Sequence, residues 1–116
     1  MKISILFAIL LFLAVPAKDS LNAATYGQEV VAAVLLAEAR GEGEKGMQAV
    51  AEVIRTRADK KGVTMLAVIK PIVFSSLNGT NRDALLRKYR YHPMFDDALK
   101  IARTAYNEPH LMTNVT

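Results

Sequence analysis

The sequence predicts a single, mainly α-helical domain. Three observations carry that expectation. Apolar residues recur at helical rather than alternating spacing in the longer segments. Glycine and proline stand where those segments should end or begin. The chain has no cysteine, so a core of packed helices, not disulfides, must hold it together. At 116 residues it supports one core and has no room for a second.

The first residues read as a targeting segment. Lys2 gives a short positive start, Ile3 to Val15 is almost unbroken apolar sequence, and Val15-Pro16-Ala17 supplies a small-residue ending. That apolar run is too short to cross a bilayer comfortably. Residues 1–17 are therefore expected to be a signal peptide cut after Ala17, with a retained anchor or a buried N-terminal helix as the alternatives. Residues 18–116 would then be a secreted or periplasmic domain without a stable membrane span. Removing residues 1–17 takes one lysine from the formal +4 of the chain and leaves 99 residues at +3. Such an excess favours anionic surfaces without steering a particular partner to the protein.

Residues 26–39, YGQEVVAAVLLAEA, read as the first helix. Val31, Val34, Leu35 and Glu38 follow the spacing of one helical face. Thr25 is the expected N-cap, with Gln28 completing an imperfect capping box. Gly41 and Gly43 should end or bend the helix. A second helix is expected over Lys45–Arg57, with Met47, Val50, Ala51 and Ile54 inside and Gln48, Glu52 and Arg55 outside. Its Ala-Val-Ala run suggests the close approach of another helix. Asp59–Gly62 reads as a polar break. Thr64–Lys70 gives a short helix stopped by Pro71, although its β-branched residues also suit a strand. Residues 72–80, IVFSSLNGT, form a loop with a turn at Asn78-Gly79. Asn81–Lys88 reads as another short helix. A last helix is expected over Pro93–Tyr106, with Phe95, Leu99, Ala102 and Tyr106 on its apolar face.

Glu38 is the acid that stands out. It takes the next place on the first helix's apolar face, where another leucine would be expected, and desolvation there would favour its protonated form. A protonated carboxyl at a cleft can donate to a glycosidic oxygen. The plain alternative is a helix-end acid that reaches water past small alanines. Glu42 follows four residues later, either beside Glu38 or in a structural turn between glycines. Glu44 reads as solvated. Phe74, Ser75 and Asn78 can line a sugar-binding groove, or make an ordinary turn with one aromatic anchor.

Arg82, Arg87, Lys88 and Arg90, interleaved with Tyr89 and Tyr91, form the strongest basic run. The modest net charge and the signal peptide favour a solvated face, or contact with an acidic polymer, over nucleic acid. His92 and His110 lack companions for a metal site, and His92-Pro93 reads as a helix start. The chain offers no thiol nucleophile and no serine in a nucleophile-elbow pattern.

Several pieces, in order, resemble one family: the SleB/CwlJ-type cell wall hydrolases, or spore cortex-lytic enzymes. Ala37-Glu38-Ala39-Arg40-Gly41-Glu42 is similar to that family's opening signature. Gly46 with Gln48-Ala49-Val50-Ala51-Glu52-Val53-Ile54 resembles its second helix, followed by Arg57 at a basic position. Val68-Ile69 leads to Phe74-Ser75-Ser76-Leu77-Asn78, similar to a Phe-Ser-x-x-Asn loop. Ala98 to Ala105 and Pro109 resemble its later helix and exit.

The resemblance implies a small lysozyme-like helical domain, related to lytic transglycosylases. It implies cleavage of peptidoglycan between N-acetylmuramic acid and N-acetylglucosamine by a monomer that needs no cofactor or metal. Glu38 falls on the family's catalytic glutamate. Glu42, Phe74, Ser75 and Asn78 fall on supporting, substrate-binding positions, and Arg57 on one that supports the fold. Thr56 stands where the family commonly has asparagine. Relatives also continue with a glycine-rich, Ala-Thr-x-Tyr-like segment that completes the groove. Met112–Thr116 looks like the run into it, so residues 18–116 are expected to lack that segment. Hydrolysis by water, as in a muramidase, is the nearest variant. The alternatives are an exported non-catalytic peptidoglycan-binding or inhibitor domain, and an amidase, for which the sequence supplies neither zinc ligands nor an activated thiol.

Overall fold

The computed structural model describes residues 23–71 and 73–107, with Arg40 described by its backbone alone. The expected signal peptide, His110, Pro109 and the Met112–Thr116 run lie outside the described residues. Among the described residues five α-helices follow one another: α1 (Tyr26–Ala39), α2 (Gly43–Lys61), α3 (Met65–Val68), α4 (Arg82–Tyr89) and α5 (Phe95–Asn107). A 3-10 turn at Arg40–Glu42 links α1 to α2, and a second at Ser75–Leu77 lies between α3 and α4. The described residues are mainly helical, contain no strand, and include no helix long and apolar enough to cross a membrane.

Helix α1 is the axis of the fold. Every residue from Val30 to Leu36 is completely buried, so the helix has no solvent face in this stretch. The one-sided amphipathic reading is corrected accordingly: α2, α3, α4 and α5 all pack on α1 and cover it around its circumference. Its start is better capped than the sequence suggested. The backbone N–H of Gln28 donates to Thr25 Oγ1, and the backbone N–H of Thr25 donates back to Gln28 Oε1, both at 3.1 Å. This is a complete reciprocal capping box, and it accounts for the burial of the Gln28 amide.

Helix α2 runs four residues past its expected end. Asp59 does not break it, because Arg55 and Asp59 pair at 3.0 Å within the helix at the favourable i, i+4 spacing. It stops at Gly62, whose φ of 65° is left-handed. The Gly62 N–H donates to the Asp59 carbonyl and the Val63 N–H to the Ala58 carbonyl, a Schellman ending. Met47, Ala51 and Ile54 face inward as expected, whereas Glu52, expected outside, is buried. In the Ala-Val-Ala run only Ala51 is buried and Ala49 is exposed, so close approach rests on one alanine. The Thr64 hydroxyl caps α3 through the Ala67 N–H at 3.2 Å, and the helical reading of that segment prevails over the strand.

Asn81 caps α4 by accepting from the Ala84 N–H at 2.9 Å. Helix α5 starts two residues later than expected: His92 Nδ1 accepts from the Met94 N–H at 3.0 Å and leaves Pro93 in the preceding turn. The buried stripe of α5 is Phe95, Ala98, Ala102 and Ala105, with Leu99 and Tyr106 only partly covered. Small residues on this stripe let α5 lie close against the alanines and valines of α1. Polar ties lock the periphery. Arg55 donates to the Ala105 carbonyl, and Arg82 donates to the carbonyls of Ile69 and Leu66 at 3.0 and 3.1 Å. The Leu66 N–H donates to the Tyr106 hydroxyl oxygen at 3.0 Å.

Candidate functional site

Glu38 sits in the last turn of α1, just before the chain turns away at Arg40–Glu42. A β-carbon at Gly41 would meet nothing within 4 Å, whereas Gly43 has a left-handed φ of 71°. The reversal into α2 therefore depends on Gly43 rather than Gly41. Because α1 ends at Ala39, Glu42 belongs to the 3-10 turn and not to a further turn of the helix.

The side chain of Glu38 departs from expectation. It is exposed, although the buried run of α1 ends only two residues before it. The burial anticipated from helical phase does not occur, because Glu38 stands in the last turn of α1, where its direction is open to solvent. Its partner comes from elsewhere in the chain. The backbone N–H of Ser76 donates to Glu38 Oε2 at 3.3 Å, a long hydrogen bond that leaves Oε1 without a partner among the described residues. A helix C-terminus carries partial negative charge and is a poor place for an anion. The Ser76 dipole offsets part of that cost.

The Ser76 loop is held from below. Phe74, just before the 3-10 turn, and Leu77, its last residue, are buried in the core. The Lys70 carbonyl accepts from the N–H groups of both Val73 and Phe74, and the Asn78 N–H closes on the Ser75 carbonyl at 2.9 Å. Gly79, with φ of 77°, makes the exit. Phe74, expected to shape a groove, therefore anchors the loop and presents no open ring face. Ser75 and Asn78 are exposed on the turn, available to a ligand. The Ser76 Oγ is buried and has no hydrogen-bond partner among the described residues.

Glu42 is exposed, yet its position is tightly set. A β-carbon at Gly46 would lie 2.4 Å from Glu42 Cβ and 3.0 Å from its Oε1, so glycine there makes room for the glutamate. Arg57 is exposed and makes no hydrogen bond or ion pair among the described residues. Arg55 ties the fold together, through Asp59 and the Ala105 carbonyl. Sequence reasoning missed Ser76 because it acts through its backbone, which no side-chain pattern reports. It also missed the role of Arg55, whose partner lies fifty residues away.

The site thus consists of one exposed carboxylate, steered by a loop N–H, with hydroxyl and amide groups beside it. Such a set can exchange a proton with a ligand and bond to its polar groups. Among the described residues no three His, Asp or Glu side chains gather closely enough to hold a metal ion. A cleft of ≈ 420 Å³ shares Leu77 with the loop but does not include Glu38. No family model, curated protein or solved structure matches this chain.

Proposed function

We propose that this protein is exported to the cell wall and cleaves peptidoglycan glycan strands as a lytic transglycosylase of lysozyme-like fold, with Glu38 as the catalytic acid and base. One observation carries the reading. The Ser76 N–H bonds to Glu38 Oε2 and so joins the two stretches, Ala37–Glu42 and Phe74–Asn78, that carry the resemblance to cell wall hydrolases. Thirty-eight residues separate the two partners in sequence, and only the fold brings them together.

The step balances without a co-reactant. Protonated Glu38 gives its proton to the glycosidic oxygen as the bond from muramic acid C1 breaks, and the leaving sugar departs with a hydroxyl. The Glu38 carboxylate then takes the proton of the muramic acid 6-hydroxyl while that oxygen bonds to C1, giving the anhydro product and restoring the acid. The substrate holds its own nucleophile close to C1, so no second catalytic carboxylate is needed. Ser76 orients the carboxylate, Ser75 and Asn78 meet the sugar hydroxyl and acetamido groups, and Glu42 supports the rim.

The exposure of Glu38 favours a second reading, a non-catalytic peptidoglycan-binding or inhibitor domain, since catalytic acids are commonly shielded from water. Mass spectrometry of peptidoglycan digests separates the two. The catalytic reading expects anhydromuramoyl ends from the wild type and none from Glu38→Gln, with unchanged helicity. Retained activity in that variant refutes the role of Glu38. Polymer binding with no product from either protein establishes the second reading.

A further inference from the structure

The cleft beside Leu77 has a composition that the Glu38 site does not account for. Its apolar floor is Ile69 and Leu77, each almost fully buried, with Pro71 at one edge. Tyr26 contributes an aromatic wall at the start of α1, fixed by the hydrogen bond from its hydroxyl to Asp83. At ≈ 420 Å³ the space falls within the range of small-molecule sites, about 300–1,000 Å³.

The polar groups on its rim are biased toward donors. Lys70 is exposed and pairs with no carboxylate among the described residues. Asn81 spends its carbonyl oxygen on the Ala84 N–H, so the end left for a ligand is its NH₂. Arg82 uses Nε and Nη2 on two backbone carbonyls and keeps Nη1. Thr80 adds a hydroxyl. The one acidic group, Asp83, already accepts from Tyr26. A donor-rich rim over a small apolar floor is complementary to a ligand rich in carbonyl and carboxylate oxygens and carrying small alkyl groups.

We propose that this cleft binds the peptide stem of the wall polymer, a short acidic peptide with small apolar side chains. Lys70 and Arg82 take its carboxylate, Asn81 and Thr80 its carbonyls, and the exposed Tyr26 ring and Pro71 its methyl groups. This rests on the peptidoglycan reading and extends it. The 3-10 turn at Ser75–Leu77 touches Glu38 through Ser76 and lines the cleft through Leu77, so one short turn relates the glycan bond to the stem hanging from it. Specificity for glycan bearing peptide, over bare glycan, would follow.

The test titrates the full chain with an N-acetylated alanyl-γ-glutamyl-lysine peptide, with its analogue in which every carboxylate is a carboxamide, and in parallel with peptide-free glycan. Binding is followed through backbone amide resonances. The acid peptide is expected to shift Lys70, Thr80 and Asn81 saturably. The carboxamide analogue and the Lys70→Glu variant should each bind about tenfold or more weakly, the loss of one charge-assisted hydrogen bond. Glu38→Gln should bind like wild type. Lys70 is exposed and only its backbone carbonyl is used in the fold, so Lys70→Glu should keep the wild-type unfolding midpoint. Equal binding of acid and carboxamide, or an unaffected Lys70→Glu, overturns the assignment, as does the absence of any binding. Cleavage of glycan without peptide binding defeats the cleft assignment alone. Peptide binding as described, with no glycan cleaved, supports the cleft and defeats the catalytic reading.

Discussion

Replacing Gly46 with alanine tests whether Glu42 is fixed by packing. The change adds one methyl group to a buried position in the first turn of α2. That methyl would stand 2.4 Å from Glu42 Cβ, 3.0 Å from Glu42 Oε1 and 3.4 Å from the Ala39 carbonyl oxygen. The carboxylate is the free end of a flexible side chain and can swing away. The β-carbon cannot, because it is bonded to the backbone of the 3-10 turn. Relief therefore requires the Arg40–Glu42 turn to shift, and Glu38 lies immediately before that turn.

Overpacking of this kind costs about 1–3 kcal/mol. Alanine in place of glycine within a helix returns about 0.5–1 kcal/mol. The net expectation is a loss of about 0–2.5 kcal/mol, read from urea unfolding followed by far-UV circular dichroism. Glu42→Gly in the same molecule removes the obstructing β-carbon, so the two changes should couple favourably by about 1–3 kcal/mol in a double-mutant cycle. On the proposed function, glycan cleavage should fall in the single Gly46→Ala variant, because the end of α1 moves with the turn. A Gly46→Ala variant more stable than wild type, or strict additivity in the cycle, refutes the packing argument. The turn would then yield at no cost.

Other expectations are more local. Burial raises the hydroxyl pKa of Tyr106, and the Asp83 hydrogen bond raises that of exposed Tyr26. For a group whose folded pKa lies above its unfolded value of 10.0, stability is complete below that value and falls as pH rises through the folded one. Urea midpoints should therefore decline in the alkaline range, and Tyr106→Phe should flatten the decline. An unchanged slope contradicts the assignment. Ser76→Ala removes a buried hydroxyl without a partner but keeps the N–H on Glu38, so stability should rise by about 1 kcal/mol. A loss of that size in the midpoint assay would show that the hydroxyl is bonded in solution. Arg55→Met should cost about 1–3 kcal/mol through the orphaned Ala105 carbonyl, and Asp59→Asn much less, because Asp59 is exposed. Equal losses in the same assay would assign the effect to the ion pair.

Local signals made the helices legible in the sequence. α1 matches its expected bounds at both ends, because Thr25 and Gln28 act within one turn of each other and the Gly43 reversal lies close by. The end of α2 was misplaced because Asp59 reads as a breaker only when its i−4 arginine is overlooked. What was not legible was the environment of α1. The same valines and leucines suit a helix with one buried side or a helix enclosed on every side, and the choice depends on how many neighbours arrive. Four do, and none of them is announced within Val30–Leu36.

The same limit explains Glu38. Helical phase placed it on a buried face, but phase describes direction around the helix and not distance along it. In the last turn the covering is incomplete: Ala39 is still buried, but the direction of Glu38 is open and its side chain meets water. What recommends Glu38 is therefore not desolvation in the free protein. It is a carboxylate oxygen bonded to the backbone of a turn whose exposed Ser75 and Asn78 can receive a sugar. If Glu38 acts as an acid, its shielding from water must come from the bound glycan, which would cover the rim as it docks.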